Sequence, residues 1–167
     1  MTIAETLLPE LDHETGVTRR VLARVPGEQH AWKPHVRSMS LGQLAAHVGH
    51  LFTWGVVTLE TEALDLDDPA VREMQATPFT TTAALLETFD RHAVRFRRAL
   101  AAASDGELLV PWTLKKAGGS MFTMPRVSVV RSMVLNHSVH HRGQLSVYLR
   151  LLDVPLPPIY GPTADEQ

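Results

Sequence analysis

Four long stretches of this chain repeat apolar residues at helical spacing, with prolines and glycines between them, and no other feature constrains the fold as strongly. From about Ile3 to Val25, Leu7, Leu8, Leu11, Val17, Val21 and Leu22 mark one helical face, and Pro26-Gly27 stops it. Residues Glu28 to Met39 contain Pro34 and no periodicity, and read as a loop. Ser40 followed by Gln43 forms a capping-box signature for a helix running to about Glu60, with Leu41, Leu44, Ala45, Val48, Leu51, Phe52 and Val56 inward. Asp65 to Pro78 reads as a connection with room for a short helical turn. The third helix spans Thr80 to Ala103, carries Leu85, Leu86, Phe89, Val94, Phe96 and Leu100, and is expected to end at Asp105-Gly106. Glu107 to Met124 reads as a loop or a short hairpin. Pro125 suits the first turn of a fourth helix that ends before Pro155. The proline-rich tail, Val154 to Gln167, cannot be regular. The expectation is one all-α domain over residues 1–167, a four-helix bundle.

Composition narrows the function. Hydrophobic residues make up 44% and charged residues 20%, enough for a buried core and against a disordered or collagen-like chain. No apolar run approaches the roughly 18 residues that a membrane-spanning helix needs. The N-terminus lacks a basic-then-apolar pattern, so no signal peptide is read and a cytoplasmic location is expected. With 16 Lys+Arg against 18 Asp+Glu, the net charge of −2 gives no electrostatic reason to expect nucleic acid as a partner. Cysteine is absent, which removes disulfides, thiolate metal sites and a cysteine nucleophile together.

The nine histidines carry the functional signal. His13, His30, His35 and His92 stand singly in polar surroundings and read as solvated or capping side chains. His137 and His141, four apart in the fourth helix, lie on one face and can aim two imidazoles at one point, as in many helical metal sites. His140 is three along from His137 and remains an alternative, but residues 140 and 141 point roughly 100° apart, so only one shares the site. Two ligands hold a metal weakly. His47, which borders the buried face of the second helix, is the candidate third, and His50 one turn on could substitute or support it. Three imidazoles buried together without a cation would leave donors and acceptors unmet, each costing about 1–3 kcal/mol.

His47-Val48-Gly49-His50 after the Ser40-to-Leu44 helix start, the run from Asn136 to Leu145 with its HxxxHHRGQ element, and the tail Pro155 to Glu166 resemble the DinB family of the DinB/YfiT-like metalloprotein superfamily. The resemblance spans the chain. It implies a divalent metal held by one histidine of the second helix and an HxxxH pair of the last long helix, which by position are His47, His137 and His141. Relatives in this superfamily include bacillithiol- and mycothiol-dependent transferases and isomerases, and members often form dimers, so the resemblance also implies a small-molecule substrate, a low-molecular-weight thiol and a homodimer.

Neutral nitrogen ligands suit Zn²⁺ and Ni²⁺ foremost, and also Co²⁺, Cu²⁺ or Fe²⁺. Three of them leave an open position, the pattern of a catalytic site. Two chemistries follow: hydrolysis by an activated water, or delivery of a bound thiol to an electrophile. The peptidase pattern HExxH sets a glutamate beside its first histidine, whereas Ser138 stands there in this chain, which weighs against that hydrolase type. The non-enzymatic alternative is a metal-binding stress-response protein. Trp54, Trp112 and Tyr148 read as core packing before pocket lining. Arg142 reads as a surface or interface ion-pair partner, and Gly143 as a point where another helix approaches.

Overall fold

Hydrogen-bonded caps begin three of the long helices where the sequence places them. In the computed structural model, which describes residues 1–75 and 78–165, α1 spans Ile3–Leu22 and starts from a capping box between Thr2 and Glu5. Helix α2 spans Leu41–Glu60 and starts from the expected box: the Gln43 N–H donates to Ser40 Oγ at 3.2 Å, and the Ser40 N–H to Gln43 Oε1 at 2.8 Å. Two orphan first-turn donors are thereby satisfied, and replacing such a cap by alanine costs about 1 kcal/mol. A short α3 covers Pro69–Gln75, within the connection expected to hold a helical turn. Residues 76–77 of that connection and 166–167 of the tail lie outside the described residues. Helix α4 spans Thr82–Ala102, capped by Thr81.

Helix α4 ends at Ala102, within one residue of the expected Ala103, but Asp105-Gly106 is not a plain stop: Ser104 and Glu107 form a new capping box that starts the short α5, Asp105–Leu109. The fourth long segment also departs from expectation. It begins as α6, Arg126–Val129, passes through a π-helical stretch at Val130–Leu135, and continues as α7, Asn136–Leu151. The Asn136 N–H bonds the Arg131 carbonyl five residues back, so the wider turn holds one extra residue. One extra residue rotates everything beyond it by about 100° relative to an unbroken helix.

Helices α1, α2, α4 and α7 pack on one another around a common core that includes Leu11, Leu22, Leu44, Phe52, Phe89 and Leu145. Glycines set the separation of α2 from α4. A Cβ on Gly55 would stand 2.4 Å from the Phe96 ring, and one on Gly49 would stand 2.7 Å from Leu85 Cδ1. At Gly55 the Phe96 ring leaves no room for a side chain, whereas at Gly49 the tip of Leu85 would have to move aside.

The all-α expectation is corrected by a three-stranded sheet, so the chain is mostly helical rather than a plain four-helix bundle. Strand β1 (Ala63–Asp65) pairs in parallel with β2 (Pro111–Lys116), which pairs antiparallel with β3 (Gly119–Pro125). Of the two readings for Glu107 to Met124, the hairpin is the one adopted. Its turn places Ala117 and Gly118 at φ of 51° and 75°, the positive pair of a tight hairpin turn. Asp67 holds the less tolerant residue by accepting the Ala117 N–H at 2.6 Å. A second small core forms where Trp112, Leu64, Leu114 and Val71 meet Val129, with Trp54 and Met133 packed against it. Among the described residues, no helix is long and apolar enough to cross a membrane.

Candidate metal centre

His47 on α2 faces His137 and His141 on α7. All three are half-buried, and each offers one ring nitrogen such that the three atoms lie within 4.8 Å of one another. The His47 ring stands 5.3 Å from that of His137 and 4.5 Å, edge-on, from that of His141, centroid to centroid. His140 is exposed, its ring 4.9 Å from that of His141 and outside the cluster. His50 is also outside it, one turn further along α2 and facing His92 of α4.

The hydrogen bonds around the pair decide which nitrogen carries a lone pair. His137 Nδ1 donates to the Met133 carbonyl at 3.3 Å, and His141 Nδ1 donates to Gln144 Oε1 at 2.7 Å. Each Nε2 is then an unprotonated acceptor, and the two Nε2 atoms are 2.7 Å apart. With both Nδ1 atoms donating, the two Nε2 lone pairs face each other, a repulsion that a cation between them would relieve. His47 Nε2 is fully buried and has no hydrogen-bond partner. Three unmet nitrogens converging from two helices fit a cation and little else, since an orphaned buried polar atom costs about 1–3 kcal/mol. Outer hydrogen bonds that fix ring and tautomer are the usual support of a histidine–metal bond.

Electrostatics agree with this geometry. Burial lowers the His47 pKa to about 4, and the neighbouring His141, His137 and His50 add to the shift. Burial also lowers the pKa values of His137 and His141, against the opposing hydrogen bonds to Met133 and Gln144. All three rings therefore keep neutral, metal-competent forms at neutral pH. Gln144, the last residue of the run His140-His141-Arg142-Gly143-Gln144, orients His141 from three residues on. That spacing within HxxxHxxQ was the available signal.

Other sequence expectations need correction. Arg142 is not at the surface: it is 1% exposed and forms an ion pair with buried Glu14 at 2.5 Å. Its guanidinium also donates to Thr18 Oγ1 at 3.2 Å and to the Tyr160 hydroxyl at 2.6 Å, and that hydroxyl donates to Glu14 Oε1 at 2.9 Å. Gly143 admits no close helix, because a Cβ there would meet nothing within 4 Å. His92 is not solvated; it is half-buried and hydrogen-bonds the Gly49 carbonyl at 3.2 Å. His13, His30 and His35 are exposed as expected. Trp112 is core, donating its indole N–H to Thr61 Oγ1 at 3.2 Å, while Trp54 and Tyr148 are partly buried against the main core.

Fold and cluster together define a mostly helical protein whose three histidines, from two helices, could hold a metal ion. The family model that matches residues 1–167 is the DinB family, and the chain belongs to it. Among solved structures, the chain is similar to a DinB-like protein from Bacillus cereus ATCC 10987, with a TM-score of 0.71 at 22% identity over 95% of this chain and 98% of that one. It is also similar to a DinB-like protein (YjoA) from Bacillus subtilis, with a TM-score of 0.70 at 18% identity over 93% and 96% of the two chains. At these identities the likeness speaks for the fold. No curated protein matches the chain.

Proposed function

We propose that the chain is a metal-dependent enzyme that transfers a low-molecular-weight thiol to a small electrophilic substrate, with His47, His137 and His141 as the metal ligands. The observation that carries the reading is the donor set: three imidazoles with free nitrogens and, among the described residues, no carboxylate in the group. Neutral donors leave a bound divalent cation its full charge, which lowers the pKa of a thiol or water that joins it. Zn²⁺ and Ni²⁺ are both suited by such imidazole nitrogens.

The chain's own residues supply orientation and exclusion. Met133 and Gln144 hold the two rings of α7 with Nε2 inward, and the half-buried setting of all three limits access by water. Ser138 occupies the place of a peptidase glutamate, and its hydroxyl is buried, unpartnered and too weakly basic to take a proton from water unaided. This weighs against a peptidase of the HExxH type, and thiol delivery, which needs no carboxylate base, is the chemistry that the donor set supports.

The test pairs metal content with turnover. Wild-type protein is expected to retain about one equivalent of Zn²⁺ or Ni²⁺ after dialysis, and His137→Ala to lose it. Equal metal content in the two would reject the ligand assignment. Metal-loaded protein is then assayed with several biological thiols and a chromogenic electrophile, and turnover is expected to vanish with chelator. Metal bound without turnover above the metal-free control, for every thiol, would leave the non-enzymatic metal-binding reading in its place.

A further inference from the structure

Two more histidines face each other outside the cluster. His50, on α2, and His92, on α4, have ring centroids 5.0 Å apart at an interplanar angle of 53°. That separation lies within the 4.5–5.3 Å spanned by the ring pairs of the three-histidine cluster. Gly49 makes the approach feasible: with no side chain there, α4 sits close enough for His92 Nδ1 to donate to the Gly49 carbonyl at 3.2 Å. That bond fixes the tautomer and leaves the lone pair on His92 Nε2. His50 Nδ1 is buried without a hydrogen-bond partner. Each ring thus has an unused nitrogen.

We infer that His50 and His92 form a second divalent-cation site, weaker than the first, that takes a borderline transition metal with water completing its shell. Room for that water lies alongside. A cavity of about 160 Å³ is lined by His50 together with the hydroxyl-bearing Thr80 and Thr88. Several waters at about 30 Å³ each fit there, with hydroxyl oxygens to receive their hydrogen bonds. Burial lowers the pKa values of both rings, which keeps them neutral at pH 7. Two features weaken the site. It offers two protein ligands rather than three, and the cationic Arg91 and Arg95 flank His92, Arg95 being paired with Glu60 at 2.8 Å. Because His50 stands one turn beyond His47 on α2, the two sites share a helix without sharing a ligand.

Equilibrium dialysis against Ni²⁺ at pH 7.5, on untagged protein, tests this. Wild type is expected to bind two equivalents, the second at least tenfold more weakly, and paramagnetic broadening is expected at the His92 ring signals as the second fills. His50→Gln and His92→Gln are expected to lose only the weaker equivalent, with unchanged circular dichroism, while His137→Ala loses only the tighter one. Failure of the first site and failure of the second are therefore read on different variants. A wild type saturating at one equivalent up to about 1 mM Ni²⁺ would overturn the inference. So would a second equivalent that persists in both glutamine variants, since it would belong to a surface histidine such as His140 or His35.

Discussion

His141 and Arg142 are neighbours on α7, yet they serve two polar inclusions of opposite character. Arg142 points into a closed network in which guanidinium, carboxylate, two hydroxyls and a backbone carbonyl satisfy one another, with the Tyr160 ring also stacked 5.1 Å from the cation. His141 points the other way, into a cluster whose inward nitrogens have no such partners. Desolvation opposes both. In the first the protein answers it internally, which ties α1, α7 and the tail together. In the second the answer has to come from outside the chain. A buried polar group with every bond made is architecture, and one with bonds left open is a place for a ligand.

The contrast breaks hardest at Arg142. Arg142→Met strands a buried Glu14 carboxylate and should cost about 3–5 kcal/mol, because the surviving charge loses its partner. Urea unfolding of the metal-free protein is expected to show this loss in full, and a loss under 1 kcal/mol would mean that the network is not the closed unit described. Gln144→Leu attacks the other side. It removes the bond that orients His141 and should weaken metal binding by about 10–100-fold, leaving metal-free stability within about 0.5 kcal/mol. A competition titration with a chromogenic chelator reads the affinity, and an unchanged value would remove Gln144 from the site.

Acid sharpens the comparison more gently. His47 titrates at about 4 in the folded chain, below the ordinary 6.5 of histidine, chiefly because it is buried. The unfolded chain takes up the proton first, so this contribution is complete above about pH 6.5 and is lost as the pH falls toward 4. His137 and His141 act in the same direction. Metal-free wild type should therefore lose stability over that window, and His47→Ala should show a flatter profile in thermal melts from pH 7 to 4.5; parallel profiles would contradict the burial of His47. The smallest effect belongs to His140→Ala. Its exposed ring should be dispensable, with stability and metal content both unchanged within about 0.5 kcal/mol.

Much of this was legible in order along the chain. The capping box at Ser40–Gln43 and the start of α2 follow from residues within one turn, and so does the stacking of His137 over His141. The burial of Arg142 was also written in its spacing, because Ser138, Arg142, Leu145 and Leu149 form one inward stripe on α7, and Leu7, Leu11, Glu14 and Val21 one on α1. Two opposite charges on two apolar stripes implied an internal ion pair, and a rule that places arginine at surfaces hid it. His92 was similar, lying beside the Leu85–Phe89–Ala93–Phe96 stripe of α4. The sheet was less accessible, since β1 finds its partner some fifty residues later and no local period announces such a pairing.

Local order alone determined the long helices, their starts and the HxxxH pair, because a helix is made of contacts three and four residues apart. Tertiary structure decided the rest. The π-helical turn at Val130–Leu135 rotates α7, so that His141 rather than His140 meets α2, and the packing of α2 against α7 brings His47 to the pair. Distances between side chains on separate helices depend on how whole surfaces fit together, and a one-residue change in helical phase alters all of them at once.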